Sequence, residues 1–252
     1  MGDLTPLAGA LLALLGLAGG IGITAIGPGG VLPTVGLVAL STLSPAQVAG
    51  TSIVTHVATG ALGTAAYLRS GELRVPQTRR TAWLLAVTAL IGTVIGIRIN
   101  AALSPRWFSA LLGVLVAVVA ALVLIRNRAV GGAHKHPPLP VVLAIGLFVA
   151  VVAGIIGIGG PMLTVPLLVA AGCEVLEALA VAQAQSVVIA TVGTIGYLAQ
   201  GSIDWPVAVL IGVPELAGVL IGWRIARALP TRILRNTMVV ALFALAPYLA
   251  FR

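Results

Sequence analysis

Two side chains that can ionise stand inside long apolar runs, His56 and Glu215. A charge in such surroundings is expensive, and by default it marks a transport pathway or a proton relay. Around His56 the chain also carries Gln47, Thr51, Ser52, Thr55 and Thr59. Thr51, Thr55 and Thr59 fall at successive i, i+4 positions, so one helix face is lined with hydroxyls, and Ser52 and His56 form the adjacent row. A second polar-dotted run holds Gln183, Gln185, Ser186 and Thr191. Such groups can replace the hydration shell of a small oxyanion without adding fixed charge. The same groups also serve ordinary interhelical hydrogen bonding, worth about 0.6 kcal/mol per contact in membranes.

Two glycine-rich breaks accompany these rows. Gly27-Pro28-Gly29-Gly30 and Gly157-Ile158-Gly159-Gly160 each interrupt an apolar run and open a short one. A helix that starts just after such a break points free N–H groups, and the positive end of its dipole, into the gap. Two such ends facing each other suit a small anion. Glycine also serves close helix packing, which is the reading for Gly92/Gly96 and Gly218/Gly222 at small-xxx-small spacing.

Other features carry less chemistry. Arg98 and Arg224 lie at helix ends and read as snorkelling anchors. His134-Lys135-His136, among Gly and Pro neighbours, reads as a linker, since two histidines without further ligands make a poor metal site. The single Cys173 excludes an internal disulfide framework. No HExxH, GxSxG, Walker A or paired-carboxylate arrangement occurs, so no enzyme chemistry, cofactor or metal is expected.

The elements that must position these residues follow from composition. Sixty per cent of the 252 residues are hydrophobic and eight per cent are charged, against about 25% charged in soluble domains. Such a chain belongs in a lipid bilayer. Its net charge of +8 is explained by basic cytoplasmic loops rather than by a nucleic-acid partner. A spanning helix needs about 20 mostly apolar residues, and ten apolar stretches emerge. They run near Leu4–Ile26, Val31–Leu43, Pro45–Leu68, Thr81–Ile99, Trp107–Ile125, Leu139–Ile156, Pro161–Ala171, Leu176–Ala199, Trp205–Trp223 and Thr231–Phe251. The second and seventh are too short to cross without tilt, so they either cross or form re-entrant hairpins. Trp83, Trp107, Trp205 and Trp223 lie near segment ends, as an interfacial aromatic belt requires.

The two halves resemble each other. Gly27, Gly29, Gly30, Thr34, Val35 and Leu37 recur 130 residues later as Gly157, Gly159, Gly160, Thr164, Val165 and Leu167. Tyr67, Leu68, Gly71 and Pro76 recur as Tyr197, Leu198, Gly201 and Pro206. Gly92, Gly96, Arg98 and Ile99 then match Gly218, Gly222, Arg224 and Ile225 at a spacing of 126. His56 and Glu215 have no ionisable counterpart in the other half. With an odd number of passes per half, the loops at 69–80, 126–138 and 224–235 share one side with eleven of the fourteen Lys and Arg. That bias places both termini outside and makes the halves antiparallel. The expected boundaries are a first repeat over 1–128, a connecting loop over 129–138 and a second repeat over 139–252. Inverted repeats characterise many secondary transporters, with the site between them at mid-membrane.

These residues together resemble the TauE/SafE sulfite exporters. The resemblance runs from Gly27 to the last apolar stretch. It rests on the doubled break, clearest in Gly157-Ile158-Gly159-Gly160-Pro161-Met162-Leu163-Thr164-Val165-Pro166, on Ala49-Gly50-Thr51-Ser52, and on Gly201-Ser202-Ile203-Asp204-Trp205-Pro206. It implies a carrier of sulfite, sulfoacetate or similar small sulfur-containing or carboxylate anions in the bacterial cytoplasmic membrane. Pro28 in the first break, Pro161 after the second, and Gln185-Ser186 in place of a second Thr-Ser depart from the family pattern, all at the presumed site.

The expectation is therefore an all-α integral membrane protein of two inverted five-segment repeats, exporting a small anion by alternating access. Gly29, Gly30, Gly159 and Gly160 would supply backbone contacts. Thr51, Ser52, Gln185 and Ser186 would complete the shell, with His56 in reserve and proton coupling through His56 or Glu215 as a further possibility. Import or channel-like conduction is the competing transport reading; a membrane-embedded enzyme or scaffold is the competing class. Oligomeric state and coupling ion are not legible.

Overall fold

Proline and glycine punctuate the apolar runs and decide where helices begin and end. The computed structural model describes residues 4–125 and 136–228. Among these are nine α-helices and no strand: α1 (Pro6–Ala25), α2 (Val31–Leu40), α3 (Pro45–Ser70), α4 (Pro76–Ala101), α5 (Pro105–Ile125), α6 (Leu139–Ile156), α7 (Pro161–Ala170), α8 (Val175–Ala199) and α9 (Trp205–Ala228). The expected tenth stretch, Thr231–Phe251, lies outside the described residues, as does most of the 129–138 loop.

Local chemistry explains the ends. Thr5 accepts from the Ala8 N–H ahead of Pro6, and Ser44 and Gln47 form a reciprocal capping box ahead of Pro45. α3 ends at Gly71 in the left-handed region. A 3-10 turn over Glu72–Arg74 follows, and Pro76 starts α4. Arg79 and Arg80 therefore lie inside a helix rather than in the loop expected over 69–80. The apolar criterion missed this first turn because its residues, Pro76-Gln77-Thr78-Arg79-Arg80, are polar.

Among the described residues five helices are long and apolar enough to cross a membrane: α1, α4, α6, α8 and α9. α3 is as long as α4, at 26 residues, but its polar row keeps it out of that group. That row is internal: Thr51, Ser52, Thr55, His56 and Thr59 are all buried. Trp83, Trp107 and Trp205 are exposed on the outside of the bundle, where a bilayer interface would meet them.

Contacts between the halves come in matched pairs. α1 packs along α9 and α4 along α6, while α3 packs against α8. The sequence matches noted above pair residues of α4 with residues of α9. Glycines make the α1–α9 and α4–α6 contacts close. Gly16 and Gly20 of α1 lie against the backbone of Ile211 and Glu215, and Gly96 of α4 lies against that of Val151 and Gly154. Lipid offers no hydrophobic drive between helices, so this backbone approach and buried hydrogen bonds must hold the bundle together. α3 and α8 run antiparallel: Gly50 meets Tyr197, Ile53 meets Gly193, Gly60 meets Val187 and Gly63 meets Gln183.

The hydrogen bonds repeat as well. Tyr67 donates to the Thr24 carbonyl at 2.8 Å and Tyr197 to the Gly154 carbonyl at 2.6 Å, each tying a long helix to the end of the helix before its half's break. Both rings are buried. Tyr67→Phe and Tyr197→Phe are each expected to lower stability by about 1–2 kcal/mol, since a buried carbonyl is left without its donor. The loss is read as a lower thermal midpoint in detergent, and an unchanged midpoint in both variants would contradict it.

Candidate functional site

The two glycine-rich breaks meet at one imidazole. In the first, α1 ends at Ala25, Gly27 takes φ 110°, and Pro28–Gly30 form a 3-10 turn leading into α2. In the second, Gly157 takes φ 77° and the chain runs uncapped by any side chain into α7 at Pro161. Both breaks are buried, and the N–H groups of Gly159 and Gly160 engage no hydrogen bond among the described residues. Between the breaks stands His56, about halfway along α3. A methyl group on Gly30 would lie 2.8 Å from His56 Nε2, and one on Gly159 would lie 2.6 Å from His56 Cδ2 and 2.9 Å from Ser186 Oγ.

The imidazole is oriented from behind. Its Nδ1 lies 2.8 Å from the Ser52 carbonyl oxygen. A carbonyl only accepts, so Nδ1 carries the hydrogen and Nε2 faces the breaks. On the far side Glu215 of α9 places Oε1 3.6 Å from Nε2. His56 is 1% exposed and Glu215 0%. Neither Glu215 oxygen lies within 3.5 Å of a hydrogen-bond partner, nor does His56 Nε2, and the Thr55 side chain is the polar group beside the carboxyl. The two ionisable residues that the sequence marked separately thus form one buried pair.

The other expected residues divide. Ser52 joins the site through its carbonyl, while its hydroxyl is 2.8 Å from that of Thr34 at the middle of α2. Ser186 borders Gly159. Gln185 is held 2.5 Å from the Thr164 hydroxyl, donates to the Gly146 carbonyl at 3.3 Å, and lies near Gly160. Gly29 turns the other way, against the α1 backbone at Gly19 and Ile23. Thr51 is not at the cluster: its hydroxyl accepts from the Asp204 N–H at 2.9 Å, fixing the turn before α9.

Two buried amides were not among the expected site residues. Gln183 donates to the Ile23 carbonyl at 3.1 Å, in the last turn of α1 where helical carbonyls run out of partners. Asn100 does the same for α6, donating to Ile155 at 2.7 Å. Gln183 stood out in sequence as one of the four residues of the polar-dotted run on α8. Asn100 gave no signal beyond being polar at a helix end. No group of three or more His, Cys, Asp or Glu able to hold a metal occurs among the described residues.

The family model described as sulfite exporter TauE/SafE matches residues 12–249, nearly the whole chain. The chain belongs to that family. No curated protein and no solved structure matches it. Family membership and the apolar helices together make it a multi-pass membrane protein of an anion-exporter family. Both breaks, the buried pair and every helix described above except the start of α1 before Leu12 fall inside the matched span.

Proposed function

We propose that the protein is a secondary carrier that exports sulfite, or a small organosulfur or carboxylate anion, by alternating access. The substrate site lies between the two breaks, formed by the backbone around Gly30, Gly159 and Gly160 with His56, Ser52, Gln185 and Ser186. One observation carries this reading: Gly30 and Gly159, equivalent neither in sequence position nor in half, abut the same imidazole. Unwound backbone at membrane depth is tolerated where protein or water satisfies it, and doubled breaks with uncapped helix starts are costly unless they line something. The residues are placed for mid-membrane binding, since His56, Ser186 and Glu215 each stand about halfway along their helices.

The same reading makes the two halves inverted repeats, over 1–128 and 139–252, joined by the 129–138 loop in a bacterial cytoplasmic membrane with both termini outside. The antiparallel contact of α3 with α8 and the one-sided distribution of Lys and Arg support it. Alternating access then consists of rocking one half against the other around His56, with the paired contacts α1–α9 and α4–α6 as the sliding surfaces. Purified protein in proteoliposomes is expected to show saturable sulfite counterflow, and sulfite or sulfoacetate is expected to raise its thermal midpoint. Flux without saturation would replace the carrier with a channel, and an unmoved midpoint with every sulfur oxyanion and carboxylate tested would remove the substrate assignment.

A further inference from the structure

The geometry points to His56 and Glu215 as a proton-binding element that admits an anion only when Glu215 is protonated, so that each anion enters with a proton. This rests on the substrate site proposed above and adds its coupling.

The argument begins with the tautomer. Because Nδ1 donates to the Ser52 carbonyl, a neutral His56 presents a lone pair at Nε2, and a lone pair repels an anion. Nε2 must carry a proton before it can hold one. The nearest source of balance is Glu215, 3.6 Å away and fully buried. An uncompensated charge in such a place costs several kcal/mol, so the pair keeps itself neutral. With the site empty, one proton does this, residing either on the carboxyl group or on the imidazole opposite an ionised carboxylate.

An anion between the breaks changes the sum. Beside an imidazolium and an ionised carboxylate it leaves one negative charge uncompensated. Beside an imidazolium and a neutral carboxylic acid it leaves none. The loaded pair therefore holds two protons, one more than the empty pair. The same conclusion follows from geometry alone, because Nε2 faces both Glu215 and Gly30 and an ionised carboxylate competes with the anion for its single N–H.

No other group nearby can take this role. α1 and α3 are the helices packed on α9 at Glu215. α1 contains no titratable side chain. On α3 the others are Tyr67, bound to the Thr24 carbonyl, and Arg69 in the last turn. α8, facing His56, offers Ser186 there, with Glu177 in its first turn and Tyr197 near its end. On α9 itself Arg224 lies about two and a half turns beyond Glu215, and Asp204 precedes the helix and caps it through Val207. The spacings of 130 and 126 place Ser186 and Ala89 where a repeat-related pair would stand, both buried and neither ionisable, so the two protons have one address.

The test is a count of protons. Sulfite binding to the purified protein is measured by calorimetry in two buffers of different ionisation enthalpy, with sulfite's own protonation subtracted from a blank. The wild type is expected to take up about one proton per anion on the alkaline side, and its affinity is expected to fall up to about tenfold per pH unit there. Glu215→Gln, which mimics the neutral acid, still leaves His56 to gain its proton as the anion enters and is expected to keep an uptake of about one. His56→Gln, which offers an N–H with no proton to gain, is expected to take up none and to show a flat pH profile. Zero uptake by the wild type overturns the coupling even if neither variant folds, as does uptake by His56→Gln equal to that of the wild type. Failure of sulfite and sulfoacetate to bind at any pH overturns the substrate reading first, and the coupling with it.

Discussion

Gly157→Ala is expected to abolish folded protein in the membrane, while Gly71→Ala is expected to lose only about 1 kcal/mol. Both glycines have a positive φ, 77° and 101°, so both substitutions carry the left-handed penalty of roughly 1–2 kcal/mol for a residue with a Cβ. They differ in what the methyl group meets. At Gly71 there is nothing within 4 Å. At Gly157 the methyl would lie 2.2 Å from the Ala49 carbonyl oxygen and 2.4 Å from its Cα. That neighbour is helical backbone, which has no rotamer to escape into. Relief requires moving α3, and with it the His56 row and its contact with α8. Overpacking of this kind adds about 1–3 kcal/mol or more, and together the terms take a large share of a typical stability of about 5–15 kcal/mol. Abundance in the membrane fraction and the thermal midpoint of detergent-extracted protein measure the contrast. If Gly157→Ala accumulates and melts like Gly71→Ala, the close packing of the second break on α3 is wrong.

That contrast also shows what the sequence made legible. Local signals were readable because their causes are local: the Ser44–Gln47 box, Pro45 at the start of α3, and the two breaks where glycine interrupts an apolar run. Tyr67/Tyr197 and Gly27/Gly157 could be matched along the chain because they keep both identity and spacing. Facing relations were not. Periodicity put Thr51 on the same face as Thr55, but it could not say that this end of the face meets Asp204 rather than the breaks. His56 and Glu215 each stood out as ionisable residues in apolar runs, yet nothing in either run names the other as its partner. Asn100 gave no signal of its role because its acceptor, the Ile155 carbonyl, lies far away in sequence. In each case the missing information is which helix lies alongside which. Glycine seams between distant helices decide that, and a single-helix pattern does not contain it.

Adjacent glycines make the sharpest test of the site itself. Gly29 and Gly30 are indistinguishable in sequence, but the 3-10 turn aims them in opposite directions. A methyl group on Gly29 would lie 2.3 Å from the Gly19 carbonyl oxygen and 2.4 Å from the Ile23 nitrogen, so Gly29→Ala is expected to prevent folding. A methyl group on Gly30 would meet the His56 ring and the Ile23 side chain, and one on Gly159 would meet the His56 ring and the Ser186 hydroxyl. Those neighbours are side-chain ends that can shift. Gly30→Ala and Gly159→Ala are therefore expected to leave folded protein in the membrane with His56 displaced from its position between the breaks. Displacing that ring costs substrate interaction of about 1–3 kcal/mol, which is a loss of about tenfold to hundredfold in sulfite flux at low substrate concentration. Gly160→Ala has only contacts at 3.2 Å or longer, to the Ala182 carbonyl and Gln185, and is expected to fall between wild type and Gly159→Ala. The order of flux, wild type above Gly160→Ala above Gly159→Ala and Gly30→Ala, at equal folded abundance is the result that supports the site. Wild-type flux from both Gly30→Ala and Gly159→Ala would move the anion path away from His56 altogether.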